Sequence, residues 1–281
     1  MWKIRGSLPL YGSRGKESIV ERNGEVVVHL HLDEWQRVLP TLERNSVDVC
    51  VTSPPYNLNK RHSSGGKTKT AKSMTKKYEE WYADDIPEWE YQGQQQALIH
   101  ELMRVCKSSI FYNHKIRYAW HNRNTYKNEN KIYHPMHWLH KFPIWCEIIW
   151  DRCGIGNPSS RYHIQEERIW QIKKPKMWGN SEGLTNIWKI PPTKNEHGHP
   201  CSFPRELVRR CLSPTTVDGW KHTVIDPYVG SGTTGIEALL TERKFIGVER
   251  NPQYFDLACT AIKNHIEEYY IKGQGQTWSG M

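Results

Sequence analysis

The sequence predicts an α/β fold with a mainly parallel β-sheet. Apolar, β-branched segments alternate with segments of helical periodicity, which is the pattern of a parallel sheet covered by helices. The best-patterned stretch predicts a strand, a glycine-rich loop, a helix and a second strand at residues 222–225, 226–234, 235–240 and 245–248. Val47–Thr52 is an apolar run that ends in Ser-Pro-Pro, so it predicts a buried parallel strand with a loop at its carboxyl end.

Hydrophobic periodicity predicts the remaining elements. Strands are predicted at residues 25–32, 109–112, 145–150 and 168–172. Helices are predicted at residues 33–43, 94–106, 204–212 and 252–270. Residues 177–198 are predicted to be a loop, and the glycine-rich tail at 272–281 is expected to fray. Because 281 residues suit one core with insertions, we expect a single domain over residues 1–281.

The chain is basic, with a formal net charge of +9, which favours a polyanionic partner such as nucleic acid. Residues 57–77 form a basic loop without an acidic residue, and its cations are candidate DNA-binding residues. They are Lys60, Arg61, Lys67, Lys69, Lys72, Lys76 and Lys77. The loop could equally be a solvated excursion that orders only on binding. Arg117–His140 interleaves basic and aromatic residues, and it is either a DNA-facing element or an amphipathic helix whose tryptophans pack inward.

Cysteine usage and hydropathy predict a soluble, intracellular protein. The seven cysteines are single and odd in number, without a C-x-x-C pair, so we expect reduced thiols. No apolar run approaches the length of a membrane span, and the basic segment 1–16 lacks the apolar core of a signal peptide. His197, His199 and Cys201 carry metal-binding atoms, but no spaced partner pair completes a tetrahedral site, so no metal is expected.

The glycine-rich loop has the pattern of a nucleoside-cofactor site. Its residues Gly230, Ser231, Gly232, Thr233, Thr234 and Gly235 satisfy G-x-G-x-x-G, and Glu249 ends the next predicted strand. A P-loop needs Lys where Thr233 stands, which disfavours a nucleoside triphosphate. NAD stays open on the glycines alone. The carboxylate of Asp226, followed by Pro227, would repel a pyrophosphate and attract the ammonium or sulfonium group of S-adenosylmethionine, which therefore fits better.

A second motif, Ser53-Pro54-Pro55-Tyr56, follows the predicted strand 47–52. An exocyclic base amine is a poor nucleophile. If the Ser53 hydroxyl and the Pro54 carbonyl accepted hydrogen bonds from the amine, the lone pair of the amine nitrogen would point at a methyl donor. Pro55 restricts Pro54 and holds that carbonyl rigidly, and Tyr56 would stack on an extruded base. Taken alone, a Pro-Pro turn is more often a simple strand terminator.

Four stretches together resemble the permuted class of N4-cytosine and N6-adenine DNA methyltransferases, in which the catalytic motif precedes the cofactor motif. They are Thr52–Asn57, His199–Leu207, Asp226–Thr234 and Phe245–Glu249. The resemblance implies a Rossmann-like, seven-stranded, mainly parallel sheet with helices on both faces and one reversed strand, the class I methyltransferase fold. It implies base binding by Ser53, Pro54 and Tyr56, and cofactor binding by Asp226, Gly230, Gly232 and Glu249, with Ser202 and Phe203 beside the methionine end.

The same resemblance implies double-stranded DNA as the substrate, with base flipping. We expect cytosine N4 as the target, because Ser before Pro-Pro-Tyr is associated with that amine in the family, and adenine N6 is the alternative. RNA or small-molecule methylation and an inactive DNA-binding module are further hypotheses. The same expectation includes a possible cognate restriction endonuclease, a prokaryotic or phage-encoded protein that is cytoplasmic and associated with DNA, and a monomer or homodimer. The usual target-recognition segment, residues 174–197, is short, so residues 57–77 and 117–140 are expected to share in sequence reading.

Overall fold

The computed structural model describes residues 1–9, 16–57, 86–119, 131–154, 162, 164–176, 185–192, 204–215 and 219–271. Its strands are β1 (Trp2–Pro9), β2 (Lys16–Arg22), β3 (Glu25–Leu32), β4 (Val49–Thr52), β5 (Ile110–His114), β6 (Arg117–Ala119), β7 (Lys131–Tyr133), β8 (Ile144–Asp151), β9 (Glu166–Ile172), β10 (Ile187–Lys189), β11 (Thr223–Asp226) and β12 (Lys244–Glu249). Its helices are α1 (Trp35–Val38), α2 (Glu88–Val105), α3 (Met136–Leu139), α4 (Arg205–Leu212), α5 (Thr233–Leu240) and α6 (Pro252–Ile266), with a 3₁₀ turn at Leu39–Thr41 and a π-helical turn at Glu267–Ile271.

Ten of the described strands form one sheet in the order β1-β2-β3-β12-β11-β4-β5-β9-β8-β10, and β6 pairs with β7 in a separate hairpin. Strands β3, β12, β11, β4 and β5 are parallel, and β9 runs antiparallel between β5 and β8. The predicted α/β fold with a reversed strand is therefore confirmed. The sheet has ten strands rather than seven, because β1 and β2 extend one edge and β10 extends the other.

The extension at the first edge is a hairpin that is absent from the predicted elements. β2 and β3 pair antiparallel and are joined at Asn23 and Gly24, whose φ angles of 53° and 85° suit a type I′ turn. β1 pairs antiparallel with the outer side of β2. Asn-Gly between two runs of β-branched residues is a strong indication of a hairpin, so the sequence contains enough information to predict this turn.

Apolar residues fill both faces of the sheet. On β4, Val49 and Val51 pack toward one face and Cys50 toward the other, and all three are at most 2% exposed. Helices α4, α5 and α6 cover the first face, and α1, α2 and α3 cover the second. Burial on both faces explains why β4 is an uninterrupted apolar run. Within the described ranges, no helix is both long and apolar enough to cross a membrane.

Three segments differ from the predicted elements. Pro40 cannot continue a helical hydrogen-bond ladder, so residues 33–43 contain a short helix and a 3₁₀ turn instead of one helix. The predicted loop at 177–198 contains β10, which pairs with β8. In Arg117–His140 the described residues form the β6–β7 hairpin and α3 rather than one amphipathic helix, although Trp138 does pack inward.

The parallel topology gathers the predicted functional segments at one edge of the sheet. β4, β11 and β12 end there, with Thr52, Asp226 and Glu249 as their last residues. β5 ends there as well, at His114, and β9 runs the opposite way, so Glu167 near its start reaches the same edge. Ligands of such sheets bind outside the carboxyl ends of the parallel strands, which makes this edge the expected position of a site.

Candidate active site

Asp226 joins the two predicted motifs. β4 and β11 are neighbours, so the segment after Thr52 and the glycine-rich loop after Asp226 begin side by side. The Thr52 hydroxyl donates to Asp226 Oδ1 over 2.9 Å, and the Thr234 hydroxyl donates to Oδ2 over 2.8 Å. The Tyr228 amide donates a third hydrogen bond of 3.0 Å to Oδ1. One carboxylate therefore fixes the end of β4, the start of the loop and the first turn of α5.

Burial sets the charge state of Asp226, which is 1% exposed. Burial raises the pKa of its carboxyl to about 6, while the three donated hydrogen bonds lower the pKa and so favour the charged form. Because the carboxylate is covered by protein, its geometry assigns it to holding the loop. The direct ion pair with an ammonium or sulfonium group stays a prediction.

The loop requires glycine at position 232. The φ of Gly232 is 86°, in the left-handed region, and a Cβ there would stand 3.2 Å from the Ala258 Cα of α6. The Gly232 amide donates to the Val229 carbonyl over 3.0 Å, which closes the turn before α5. The hydroxyls of Ser231 and Thr233 lie 3.1 Å apart in the same turn. The segment is thus a tight, glycine-dependent connection between a strand and a helix, as a nucleoside-cofactor loop requires.

Glu249 lies beside this loop at the end of β12. It is 3% exposed, and its Oε2 accepts from the Gly230 amide over 2.9 Å. Its Oε1 accepts from the Asn251 amide over 2.8 Å. These bonds fix both oxygens, and a carboxylate oxygen can accept a further hydrogen bond from a ligand hydroxyl. A fixed carboxylate next to a glycine-dependent turn fits the ribose of S-adenosylmethionine.

The Ser53 hydroxyl belongs to a network of four side chains. Its Oγ lies 2.8 Å from the Tyr56 hydroxyl and 3.1 Å from Asn113 Oδ1. The Tyr56 hydroxyl lies 2.7 Å from Asn113 Oδ1 and 3.1 Å from Glu167 Oε2. Arg152 donates to the other oxygen of Glu167 over 3.2 Å. The motif after β4 is therefore held by side chains of β5 and β9.

The orientation of Asn113 decides where the hydroxyl hydrogens point. Its Nδ2 donates to the Arg168 carbonyl over 3.0 Å, and the residue is buried. Oδ1 therefore faces Ser53 and Tyr56, and it can only accept. A hydroxyl has one hydrogen, so a Ser53 hydrogen directed at Asn113 leaves the lone pairs of Oγ for another donor. In that state Ser53 can accept a hydrogen bond from an amine.

Tyr91 and His114 hold the Pro-Pro turn and the tyrosine ring. The Tyr91 hydroxyl lies 2.7 Å from the Pro55 carbonyl and 2.7 Å from His114 Nε2. Burial lowers the pKa of His114 well below its usual value, so its imidazole is neutral at neutral pH. The His114 and Tyr56 rings pack with centroids 4.5 Å apart. Backbone and ring of the motif are thus positioned by α2 and β5.

Comparison with known protein families matches most of the chain. The matched part includes the hydrogen-bond network around Ser53, the Pro-Pro turn and the glycine-rich loop. Residues 47–260 match the family model of the N6/N4 DNA methylases. The chain belongs to the N6/N4 DNA methylase family. The type II methyltransferase M.Cfr9I of Citrobacter freundii is 30% identical to this chain over 105 residues, which are 37% of the chain. The match covers 33% of that relative, so the chain spans about a third of its length.

Solved structures share the fold of this chain. The PvuII DNA methyltransferase, named as cytosine-N4-specific, superposes with a TM-score of 0.61 at 16% identity, over 86% of this chain and 92% of that one. TTHA0409 of Thermus thermophilus, in complex with S-adenosyl-L-methionine, superposes with a TM-score of 0.60 at 22% identity, over 84% and 93%. At these identities the similarity shows a common fold, and the predicted class I methyltransferase fold is confirmed.

The structure brings together part of the predicted site. Ser53, Pro54, Pro55 and Tyr56 follow β4, and Asp226, Pro227, Gly230, Ser231, Gly232, Thr233, Thr234 and Glu249 lie at the same edge. Other predicted residues lie outside the described ranges, namely Ser202, Phe203, Lys60, Arg61, Lys67, Lys69, Lys72, Lys76 and Lys77. The same holds for His197, His199, Cys201 and the tail at 272–281.

Asn113 and Glu167 were not among the predicted residues. Asn113 follows the predicted strand 109–112, whose carboxyl end must reach the same edge as Ser53, so the topology rule could have found it. Glu167 enters only because β9 runs antiparallel to β5. That pairing is a tertiary feature with no local sequence signal.

Proposed function

We propose that this protein transfers a methyl group from S-adenosylmethionine to an exocyclic amine of a base in double-stranded DNA. The N–C bond forms as the C–S bond to the methyl group breaks, S-adenosylhomocysteine leaves, and the amine loses one proton to solvent. The observation that carries the proposal is the Ser53 hydroxyl, whose hydrogen can be directed at Asn113 while its lone pairs face an amine. Membership of a DNA methylase family supports the substrate class. The S-adenosyl-L-methionine complex of TTHA0409, which has the same fold, supports the cofactor.

S-adenosylmethionine supplies an electrophilic methyl group when it is bound. In the proposed site Glu249 accepts hydrogen bonds from the ribose hydroxyls, and the turn from Gly230 to Thr234 lets the cofactor approach the backbone. Asp226 holds this turn through its bonds to Thr234 and Tyr228 and adds negative charge beneath it. The resemblance places Ser202 and Phe203 at the methionine end.

Ser53 and Pro54 prepare the nucleophile in this proposal. An exocyclic amine delocalises its lone pair into the ring, which makes the nitrogen planar and weakly nucleophilic. Two acceptors, Ser53 Oγ and the Pro54 carbonyl, bind its two hydrogens and favour a more tetrahedral nitrogen, whose lone pair then faces the methyl donor. Tyr56 stacks on the base once the base has rotated out of the duplex.

We propose cytosine N4 as the methylated amine, with adenine N6 as the second candidate. Ser precedes Pro-Pro-Tyr here, whereas Asp or Asn at this position accompanies adenine N6 in the resembling class. The PvuII enzyme, named as cytosine-N4-specific, has the same fold and adds support. Either acceptor can polarise either amine, so the choice of base rests on this single position.

We infer that the basic loop 57–77 and the segments 117–140 and 174–197 bind the DNA. The net charge of +9 supports a polyanionic ligand, and Lys115 Nζ lies 5.7 Å from the centre of the Tyr56 ring, so positive charge borders the site. A cognate restriction endonuclease stays a prediction from the resemblance.

Transfer of a labelled methyl group from S-adenosylmethionine tests the proposal. Duplex DNA, single-stranded DNA and RNA are offered separately to the wild type, to Ser53→Ala, and to Ser46→Ala, which changes an exposed serine outside the network. We expect label in duplex DNA with the wild type and Ser46→Ala only. Label in RNA but not in DNA, or full activity of Ser53→Ala, would overturn the proposal.

A further inference from the structure

Three side chains with metal-binding atoms share one face of the hairpin formed by β2 and β3, and none of them belongs to the site described above. His29 and His31 alternate on β3, so both project from the same face. Glu17 on β2 lies directly opposite His31 in the antiparallel register, which places it on that face as well. Strand pairing alone therefore brings two imidazoles and one carboxylate together.

The ligand atoms are close enough to share one ion. His29 Nε2 lies 3.1 Å from Glu17 Oε2, and His31 Nδ1 lies 3.1 Å from Glu17 Oε1. One ligand atom from each residue falls within 4.8 Å of the others. Ligands at the usual zinc distances of about 2.0–2.2 Å are about 3.4 Å apart at the corners of a tetrahedron. Binding therefore needs only small side-chain rotations.

The internal contacts of the cluster leave part of its hydrogen-bonding capacity unused. His29 Nε2 is buried and makes no hydrogen bond to another described residue, although Glu17 Oε2 is 3.1 Å away, so the two groups are close but not aligned. His31 Nε2 is likewise buried without such a bond. Buried side-chain nitrogens are usually satisfied, so these need an explanation. An ion bound by His29 Nε2 would satisfy that nitrogen and would also account for the convergence of Glu17.

We propose that Glu17, His29 and His31 bind a divalent transition-metal ion of the zinc class, with solvent as the fourth ligand. Two imidazoles and one carboxylate suit zinc and its neighbours, whereas magnesium and calcium prefer oxygen ligands alone. The bound ion would cross-link β2 to β3. β3 leads into Asp33, whose amide donates to the Glu249 carbonyl over 3.1 Å, so the cross-link supports the strand end beside the proposed cofactor loop.

The proposal departs from the expectation, drawn from the sequence, that the protein binds no metal. That expectation rested on the lack of a spaced partner pair for His197, His199 and Cys201. His29 and His31 have the i, i+2 spacing of a strand, and Glu17 joins them only through the hairpin register. Such a set becomes visible once the pairing of β2 with β3 is known.

Calorimetric titration of the chelator-stripped full chain with Zn²⁺ tests the proposal, and Mg²⁺ serves as the hard-ion comparison. The variants are Glu17→Gln, His29→Ala and His31→Ala. The matched control is the double variant His137→Ala with His140→Ala, which removes two other exposed or half-exposed histidines. A further variant, His197→Ala with His199→Ala and Cys201→Ser, identifies any second zinc equivalent.

We expect the wild type to bind one equivalent of zinc. Its zinc affinity should fall at least about 100-fold in each histidine variant, which is more than the loss of a residue that only contacts a ligand usually causes. Zinc binding should be retained in the His137/His140 variant and in the His197/His199/Cys201 variant, and Mg²⁺ should not compete with it. Zn²⁺ should also raise the Tm of the wild type but not that of the histidine variants, whose zinc-free Tm shows whether they fold. Unchanged zinc affinity in folded His29→Ala and His31→Ala, or equal loss in the His137/His140 control, would overturn the proposal. The readout does not depend on methyl transfer.

Discussion

The Thr52 hydroxyl donates a 2.9 Å hydrogen bond to the buried carboxylate of Asp226, across the boundary between β4 and β11. Thr52 immediately precedes Ser53, and Asp226 immediately precedes the glycine-rich loop. Movement of either strand end would therefore shift the base-binding side of the site against its cofactor-binding side. Transfer between two bound groups depends on their alignment, so this bond is expected to matter for rate as well as for stability.

Asp226→Asn separates the charge of this residue from its hydrogen bonds. Asn keeps an oxygen for Thr52 and the Tyr228 amide, and its Nδ2 can donate to the Thr234 hydroxyl. We expect Asp226→Asn to retain S-adenosylmethionine affinity within about tenfold, and Asp226→Ala, which loses all three bonds, to weaken it by about 100-fold or more. Calorimetry measures both. Wild-type affinity in Asp226→Ala would show that the cofactor loop is misassigned.

The same carboxylate predicts a pH-dependent stability. Its pKa is raised from 3.8 to about 6, so between about pH 4 and pH 6 this carboxyl binds more protons in the folded protein than in the unfolded chain. The contribution of Asp226 to the free energy of unfolding is full below about pH 4 and is lost as the pH rises through 6, by up to about 3 kcal/mol. In urea unfolding across this range, the stability of the wild type relative to Asp226→Asn should decline as the pH rises, because the other titrating groups are the same in both proteins. Parallel pH profiles for the two proteins would contradict the burial argument.

Asn113→Ala removes the acceptor that orients the Ser53 hydrogen. We expect turnover to fall about 10- to 100-fold, because the hydroxyl is then free to rotate its hydrogen toward the incoming amine. Cofactor affinity should stay at the wild-type value, since Asn113 lies on the base side of the edge. Single-turnover rates and calorimetry separate the two effects. Asn264→Ala, at an exposed position of α6, is the control, and a fall in cofactor affinity equal to the fall in rate would indicate general damage instead.

Tyr91→Phe removes the hydroxyl that contacts the Pro55 carbonyl and His114 Nε2, both at 2.7 Å. Loss of a buried hydroxyl leaves the Pro55 carbonyl without its donor and His114 Nε2 without this neighbour, so we expect the free energy of unfolding to fall by about 1–3 kcal/mol. Urea denaturation measures the change. Tyr162→Phe is the matched control, because Tyr162 is 96% exposed and should alter stability by less than about 0.5 kcal/mol. Equal stabilities for the two variants would show that the Tyr91 hydroxyl does not stabilise the Pro-Pro turn.

The basic loop 57–77 predicts a steep salt dependence of DNA binding. Each phosphate contact contributes about −0.9 to the slope of log affinity against log salt concentration. Neutralising its seven Lys and Arg side chains with Gln should therefore reduce the slope by up to about 6 if all of them contact phosphates. Fluorescence anisotropy with labelled duplexes gives the slope, and Lys263→Gln on α6 should leave it unchanged. An unchanged slope in the loop variant would show that residues outside the loop contact the phosphates.

The parallel part of the fold was accessible from the sequence because its strands are buried on both faces and its turns carry glycine and proline. β3 was predicted with its observed limits, and the strand, loop, helix and strand around Asp226 lie within two residues of their predicted positions. The Asn23-Gly24 pair also indicates a hairpin, although the predicted elements do not include its first strand, β2. β10 is only three residues long at a sheet edge, too short for its alternation to stand out from a loop.

The site divides in the same way. Residues in contiguous motifs, such as Ser53 and Gly232, were predicted because local spacing carries their chemistry. Glu167 and Tyr91 were missed because they reach the motif through strand pairing and helix packing, which leave no pattern in the local sequence. Asp226 was predicted as a cofactor contact, and its three internal hydrogen bonds show a structural role that spacing alone does not express.

Mass spectrometry of nucleosides from duplex DNA incubated with the protein and S-adenosylmethionine tests the central claim most directly. Several DNAs of varied sequence are needed, because one duplex can lack the recognition site. The account predicts N4-methylcytosine in the wild-type digest and its absence with Ser53→Ala. N6-methyladenine would keep the chemistry and overturn the choice of base, and the absence of both from DNAs that the protein binds together with its cofactor would contradict the proposed methyl transfer.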